Sequence, residues 1–171
     1  MKAAARTSGV SGRDAEHLLK SFIEKFEPAR RLLIRAARRT LRRRFPTSYE
    51  LAYDNYNFFV IGYSPTERPS DAIVSLVAGA NGVSLCFIHG ATLRDPGKIL
   101  LGSGKQTRFM RVESAGVLVL PEIEALIAAA VCQARTPARR VGRAELIIRS
   151  VSAKQRPRRR GPTTSGRNVP E

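Results

Sequence analysis

The stretch LLGSGKQTRF, residues 100–109, contains the residue types that bind phosphate groups in nucleotide-binding loops. A P-loop requires the pattern G-x-x-x-x-G-K-[ST] between a strand and a helix. Counting back from Gly104, the first glycine position is occupied by Ile99, and the hydroxyl position after Lys105 is occupied by Gln106. The residues after Lys105 also alternate as in a strand. We therefore predict that this stretch is not a P-loop.

A weaker form of anion binding remains open for the same glycine-rich loop, residues 102–108. Backbone N–H groups of such a turn can surround an anion, and Lys105 and Arg108 would add positive charge beside them. The alternative is that Gly102 and Gly104 only permit positive φ angles in a tight loop that enters a strand. Both interpretations fit the sequence.

A second polar cluster, YDNYN at residues 53–57, lies at a predicted strand–turn–strand junction. Polar aromatic rings beside an amide and a carboxylate can line a small-molecule pocket, although Asp-Asn is also a common pair in plain turns. Our leading hypothesis is a non-enzymatic binding module with a pocket for a small or anionic ligand near this YDNYN cluster and the glycine-rich loop. The candidate ligand-binding residues are Tyr53, Asp54, Asn55, Tyr56, Gly102, Gly104, Lys105 and Arg108.

Motifs for catalysis or for a bound metal are absent from the sequence. There is no G-x-S-x-G elbow, no CxxC pair and no HExxH pattern, and His17 and His89 are the only histidines. Cys86 and Cys132 stand far apart and are predicted to serve as small apolar residues, the first in a strand and the second in a helix. We therefore assign no catalytic residue and predict no cofactor and no metal site.

Positive charge is concentrated at the two ends of the chain. The net charge is +16, to which residues 1–45 contribute +9, residues 46–136 contribute −1 and residues 137–171 contribute +8. Such charge favours polyanions, so an alternative hypothesis is a protein that binds nucleic acid non-specifically through a basic helix and a basic tail. The candidate residues are Arg31, Arg35, Arg38, Arg42, Arg156, Arg158, Arg159 and Arg160.

Two further expectations follow from these basic segments. The arginines of the helix could instead form a solvated outer face whose inner stripe packs on a sheet. The tail has no interleaved aromatic residues, so the nucleic-acid hypothesis predicts no base stacking and no sequence specificity.

Hydrophobic periodicity predicts an α+β fold with two N-terminal helices, an antiparallel sheet of about five strands and a C-terminal helix. The second helix begins at Pro28 and the third at Pro121. Residues 49–114 are predicted to form a meander of short strands, with Asn81-Gly82 as a hairpin turn. The predicted apolar stripe of the second helix comprises Ala29, Leu32, Leu33, Ala36, Ala37 and Leu41, with the arginines mostly on the opposite side.

Composition divides the chain into a mobile N-terminus (1–12), one domain (13–136) and a basic, largely disordered C-terminal tail (137–171). Within this tail, AELIIRSVS at residues 144–152 is compatible with a late strand or a docked arm. No apolar run approaches the roughly 20 residues of a membrane span, and no secretory signal pattern follows the first residues. We expect a cytoplasmic protein that does not partner a membrane.

The segments YDNYNFFVIGYSPTERPSDAIVSL and GVSLCFIHGATLRDPGKILLGSGKQTRFMRVES resemble the YdhG-like family of bacterial proteins, domain-of-unknown-function family 1801. The similarity spans roughly residues 15–135. Its most specific part is the D-P…L-x-G-x-G-K-x-x-R pattern, matched by Asp95, Pro96, Leu100, Gly102, Gly104, Lys105 and Arg108. The resemblance implies a compact α+β fold with an antiparallel sheet and packed helices, and it supplies no agreed catalytic residues.

Some members of that family are described as frataxin-like iron chaperones, which gives a third hypothesis. An iron carrier would be expected to show clustered carboxylates on its surface. The second predicted helix of this chain is rich in arginine instead, so the sequence departs from that expectation.

Overall fold

The computed structural model describes residues 12–159, and the fold is α+β, as predicted. Two helices begin the described chain, α1 (Gly12–Glu24) and α2 (Pro28–Arg44). Five strands follow: β1 (Tyr49–Asp54), β2 (Phe59–Ser64), β3 (Val74–Gly79), β4 (Gly82–Phe87) and β5 (Arg108–Arg111). Helix α3 (Pro121–Cys132) precedes the last strand, β6 (Glu145–Val151). No helix in this described part is long and apolar enough to cross a membrane.

The sheet has six strands in the order β5-β4-β3-β2-β1-β6. Strands β1 to β5 form the predicted antiparallel meander. The β3–β4 hairpin turns through Ala80 and Asn81, and Gly82, with a φ of +145°, begins β4. Strand β6 pairs in parallel with β1, so the segment predicted as a strand or an arm is the sixth strand.

The C-terminal tail is ordered further along the chain than the sequence predicts. After β6, the backbone N–H groups of Ser152 and Arg156 donate to the carbonyl oxygens of Asp54 (2.9 Å) and Tyr56 (2.8 Å). The expectation of a largely disordered tail is therefore corrected for residues 145–159, because strand pairing and these hydrogen bonds fix their position. Residues 1–11 and 160–171 lie outside the described part.

One face of the sheet packs against the helices. Side chains alternate along each strand, so Ala52 of β1 lies in the core and Tyr53 lies on the opposite face. Core residues from neighbouring strands share one row of the sheet, for example Ile61, Leu76 and Leu85. The same buried cluster includes side chains of all three helices. The other face of the sheet carries no helix from this cluster.

Helix α2 buries a different stripe from the predicted one. Ile34, Ala37 and Leu41 are fully buried, whereas Leu32 is 67% exposed. The predicted stripe is therefore wrong at Leu32 and at Ala29, which is also exposed, and it omitted Ile34. The physical reason is that the buried side of α2 also carries Arg38, which ends against a buried carboxylate on β1.

Arg38 links the two N-terminal helices to the sheet. Its guanidinium donates to both carboxylate oxygens of Glu50 on β1 (3.0 and 2.7 Å) and to both of Glu16 on α1 (2.8 and 2.7 Å). Arg42 lies 3.4 Å from Glu50 and 3.3 Å from Glu16. Burial alone would lower the pKa of Arg38, but its hydrogen bonds to the two carboxylates outweigh burial and raise it. Because Glu50 is fully buried, its charge requires these partners.

We predict that Glu16→Gln lowers the free energy of unfolding at pH 7 by about 1 kcal/mol, a value reduced for partial solvent screening. The hydrogen bond from Arg38 lowers the pKa of Glu16 below its ordinary value of 4.5. A carboxylate with a lowered folded-state pKa stabilises the fold above its unfolded pKa and loses that contribution as the pH falls through the folded value. Urea unfolding of both proteins at pH 7 and at lower pH measures the difference, which should shrink below pH 4.5.

The matched control for this prediction is Glu67→Gln, which removes an exposed carboxylate from a loop. Its unfolding free energy should follow that of the unchanged protein at every pH. A constant difference between Glu16→Gln and the unchanged protein from neutral to acid pH would contradict the assigned ion pair.

Candidate functional site

The glycine-rich loop is a closed turn that leads into β5. Leu101 and Phe109 exchange two backbone hydrogen bonds (2.7 and 3.0 Å), which join the ends of the loop. Gly102 has a φ of +106°, a conformation that favours glycine. Lys105 is exposed and is followed by strand β5 rather than by a helix. The prediction that this stretch is not a P-loop is therefore confirmed.

Two charged residues of the D-P…L-x-G-x-G-K-x-x-R pattern, Asp95 and Arg108, form hydrogen bonds with backbone groups of nearby residues. The guanidinium of Arg108 donates to the carbonyl oxygens of Gly104 and Thr107. The carboxylate of Asp95 accepts hydrogen bonds from two backbone N–H groups four and five residues later (3.0 and 2.7 Å). Carboxylates of Asp commonly stabilise tight turns in this way. In this structure the motif shapes a loop, and the charge of Arg108 is directed at carbonyl oxygens.

The residues of the YDNYN cluster have separate surroundings. Tyr53 lies on the face of the sheet away from the helices, where burial raises the pKa of its hydroxyl and the neighbouring charge of Arg149 partly opposes that rise. Asp54 points to the helical face and is fully buried. Asn55 and Tyr56 are exposed in the β1–β2 turn. Asp54 is therefore closed to a ligand approaching from solvent.

The YDNYN cluster and the glycine-rich loop lie at opposite ends of the sheet. Strand register places Asp54 in line with Val83, at the start of β4. The same register places Arg108 in line with Glu50, at the start of β1. Strands β1 and β5 are also separated by four strand spacings, or about 19 Å. The structure therefore does not bring the two predicted clusters into one pocket.

Asp54 instead anchors the C-terminal segment, residues 152–159. Its carboxylate pairs with Lys25, between α1 and α2, and with Arg158 at 2.8 Å. The side chains of Asp54 and Arg158 are 0% and 2% exposed, so either charge alone would be strongly unfavourable there. The Gln155 side chain also bridges Lys25 and the Asp54 carbonyl oxygen. This anchor has no local sequence signature, because Asp54 and Arg158 are 104 positions apart.

The predicted nucleic-acid-binding arginines of α2 are engaged inside the fold. Arg31 and Arg35 both pair with Glu24. Arg38 and Arg42 share the two carboxylates described above. A phosphate group would have to compete with these carboxylates for each guanidinium. The alternative interpretation, a solvated outer face, does not describe these four arginines either, because their guanidiniums pair with carboxylates of α1 and β1.

Three arginines without a carboxylate partner among residues 12–159 line one open groove of about 420 Å³. Arg111 comes from the end of β5, and Arg156 and Arg159 come from the C-terminal segment. The sequence analysis names Arg156 and Arg159 but not Arg111. The alternating pattern of β5 does not indicate what surrounds the Arg111 side chain. Arg158 between them is buried, and Arg160 lies outside the described residues.

One exposed aromatic ring, Phe58, lines this arginine groove, and a second, Tyr56, contacts one of its arginines. Phe58 lines it and is 50% exposed, and Tyr56 is 49% exposed. A Cβ atom at Gly79 would lie 2.9 Å from the Phe58 ring, so the ring rests against backbone on one side. The Arg156 guanidinium lies 5.8 Å from the centre of the Tyr56 ring. The groove therefore combines positive charge with accessible ring surface.

Side chains suited to metal or thiol chemistry are not grouped in the described part of the chain. Among residues 12–159, no three His, Cys, Asp or Glu side chains are placed to hold a metal ion. Burial raises the pKa of the Cys86 thiol to about 11, so this thiol is protonated at neutral pH. Cys132 lies in α3, as predicted, but it is exposed. The iron-chaperone hypothesis thus has no ligand set in these residues.

No protein-family model, curated protein or solved structure matches the chain. The resemblance to the YdhG-like family stays a prediction. Fold and site together define an α+β protein with an arginine-lined groove at one end of its sheet. Function is therefore inferred from the geometry of that groove.

We predict that Arg158→Gln releases the C-terminal segment from the sheet. Removing one partner of a buried ion pair leaves Asp54 with Lys25 alone, at a cost of about 3 kcal/mol. The backbone N–H groups of Ser152 and Arg156 should then exchange with solvent deuterium about 100-fold faster, as measured by NMR or mass spectrometry.

The adjacent variant Arg159→Gln is the matched control, because Arg159 is exposed and Arg158 is buried. Exchange at both N–H groups should stay unchanged in Arg159→Gln. Equal protection in the two variants would show that the Asp54–Arg158 pair does not hold the segment.

Proposed function

We propose that the protein is a non-enzymatic module that binds an anionic ligand in the arginine groove. The observation that supports this proposal is the convergence of Arg111, Arg156 and Arg159 on one open groove without a carboxylate to neutralise them among the described residues. An arginine guanidinium is planar and presents several N–H donors, so it suits phosphate and carboxylate groups. Three such groups around one groove favour a ligand with more than one negative charge.

The contrast with α2 sharpens this assignment. There, arginines are matched by carboxylates from α1, β1 and α3, for example Arg44 with Glu124 at 3.1 Å. Positive charge is therefore abundant in the protein, but much of it on α2 is neutralised within the fold. In the arginine groove, three arginines without a carboxylate partner among the described residues line a concave surface, and a concave site strengthens attraction for a ligand of opposite charge.

The size and lining of the groove suit a small organic anion and not only a single inorganic ion. Its volume of about 420 Å³ falls in the range of pockets that hold small organic molecules. Asn57, Asn81 and Ser84 line it beside the arginines, and their side chains can donate and accept hydrogen bonds. The proposal keeps the predicted class of function, a binding module for an anionic ligand, and moves the site to a different set of residues.

The glycine-rich loop is a weaker candidate for the same role. Arg108 is committed to carbonyl oxygens of its own loop, and Lys105 is exposed on the outside of the turn. The arginine groove therefore has the stronger claim to an anion.

We predict that replacing Arg111, Arg156 and Arg159 together by Gln weakens binding of inorganic tripolyphosphate about 10-fold or more, because three direct charge contacts are lost. Isothermal titration calorimetry at low salt on the full chain measures the affinity. The matched control replaces three exposed arginines elsewhere, Arg39, Arg43 and Arg140, and removes the same net charge.

When both variants are also titrated at about 0.15 M salt, where the Debye length is about 8 Å, binding to the control variant should fall less than about 2-fold, because its substituted arginines lie outside the groove. Equal weakening in the two triple variants would move the site away from the groove. Failure of the unchanged protein to bind tripolyphosphate at low salt would overturn the proposed function itself.

A further inference from the structure

We infer that the ligand of the arginine groove is single-stranded nucleic acid, with a base stacked on Phe58 and the adjoining phosphates bound by the arginines. This inference rests on the proposed function and names the ligand class of that same site. It differs from the hypothesis raised by the sequence, in which a basic helix and tail bind phosphates without any base contact.

The ring of Phe58 has the properties of a stacking platform. It is half exposed in a turn, and close contact with Gly79 supports it from one side. A supported ring loses little conformational entropy when a base is placed on it. Exposed aromatic rings beside positive charge are the combination by which proteins bind single strands, since every base has a flat face.

The C-terminal segment supplies two of the three groove arginines, and another part of the chain supplies the rings. Arg156 and Arg159 follow β6, whereas Tyr56 and Phe58 belong to the β1–β2 turn. Docking of the C-terminal segment on Asp54 brings the two together, and Arg156 lies over the Tyr56 ring. The prediction of no base stacking rests on the absence of aromatic residues within the tail itself. In the structure, aromatic rings from the β1–β2 turn lie beside the tail arginines.

A single strand fits this site better than a duplex does. In a duplex the flat faces of the bases are covered by their neighbours, so the Phe58 ring would find no base to stack on. An unpaired base can place its face on the ring, and its polar edges can meet the side chains of Asn57 and Asn81, which line the groove. Flanking phosphates then lie among Arg111, Arg156 and Arg159.

Phe58→Trp provides a direct optical test, because the chain contains no tryptophan. A base stacked on the new indole should quench its fluorescence. The control Val141→Trp places a single tryptophan at a residue that is 82% exposed, near Arg139, which contacts Tyr49 at the opposite end of β1. The probes are a 12-nucleotide oligouridylate, the deoxy strand of the same sequence, a duplex of equal length and tripolyphosphate.

We expect both single strands to quench Phe58→Trp strongly, the duplex to quench it weakly, and tripolyphosphate to leave it unchanged. Val141→Trp should respond to none of them. Tighter binding of the ribose strand would identify RNA as the preferred source, and equal binding would show that the site does not read the 2′-hydroxyl. Both of these results support the inference.

Affinity measurements on the full chain separate stacking from charge. Phe58→Ala should weaken oligonucleotide binding about 5-fold or more and weaken tripolyphosphate binding by a smaller factor, whereas Phe58→Tyr should bind both probes as the unchanged protein does. The triple arginine variant should flatten the slope of log affinity against log salt by about 2, because three phosphate contacts are removed.

Absence of quenching in Phe58→Trp, with tripolyphosphate still bound, would overturn the nucleic-acid inference and leave the proposed function standing. Quenching by the duplex equal to that by the single strands would also overturn it. Loss of tripolyphosphate binding in Phe58→Ala would show that this substitution disrupts the groove. In that case Phe58→Tyr tests the stacking interaction, and weak oligonucleotide binding by Phe58→Tyr would overturn it.

Discussion

The buried carboxylate of Asp54 is the constraint on which the candidate site depends. It lies at the end of β1 without exposure to solvent, so its charge must be neutralised from within the chain. Lys25 approaches from the helical side and Arg158 from the C-terminal segment. That requirement joins three distant parts of the sequence at one point. It also fixes the neighbours of Arg158, so Arg156 and Arg159 reach the arginine groove in defined positions.

The same principle explains why net charge is a poor guide to binding sites in this protein. Six arginines of α2 form ion pairs with carboxylates: Arg30, Arg31, Arg35, Arg38, Arg42 and Arg44. Their carboxylate partners come from α1, β1, α3 and the link before α2, and none lies on α2 itself. In this protein, the run of arginines therefore belongs to a helix that packs against carboxylate side chains of other elements. The arginines that lack a carboxylate partner are therefore identified from the ion pairs of the folded structure and not from the sequence.

Local signals made the helices and the meander predictable. Proline at Pro28 and Pro121, apolar spacing along the helices and turn residues between short strands all act over a few neighbouring positions. The burial of Leu32 was predicted incorrectly, because α2 contains more apolar residues than one stripe can bury. The side of α2 that faces inward carries Ile34, Ala37 and Leu41 together with Arg38, which bonds to Glu50 on β1.

Contacts between distant segments were beyond the reach of the sequence. The polar stretch after β6 has the composition of a disordered tail. No residue near Arg158 indicates that its guanidinium pairs with a carboxylate 104 positions earlier in the chain. The sequence favours one shared pocket for the two predicted ligand clusters because both contain polar residues at strand ends. Their separation follows from strand count and direction, which place one cluster at the start of β5 and the other at the end of β1.

Strand direction also accounts for where the arginine groove forms. In an antiparallel meander, alternate turns lie at the same end of the sheet, so the β1–β2 turn, the β3–β4 turn and the exit of β5 are neighbours. Strand β6 runs parallel to β1 and therefore leaves the sheet at that same end, beside Asp54. An antiparallel β6 would have delivered the tail to the end where Arg108 lies, away from Phe58 and Arg111. The one parallel pairing in the sheet is thus what unites the basic tail with the exposed rings.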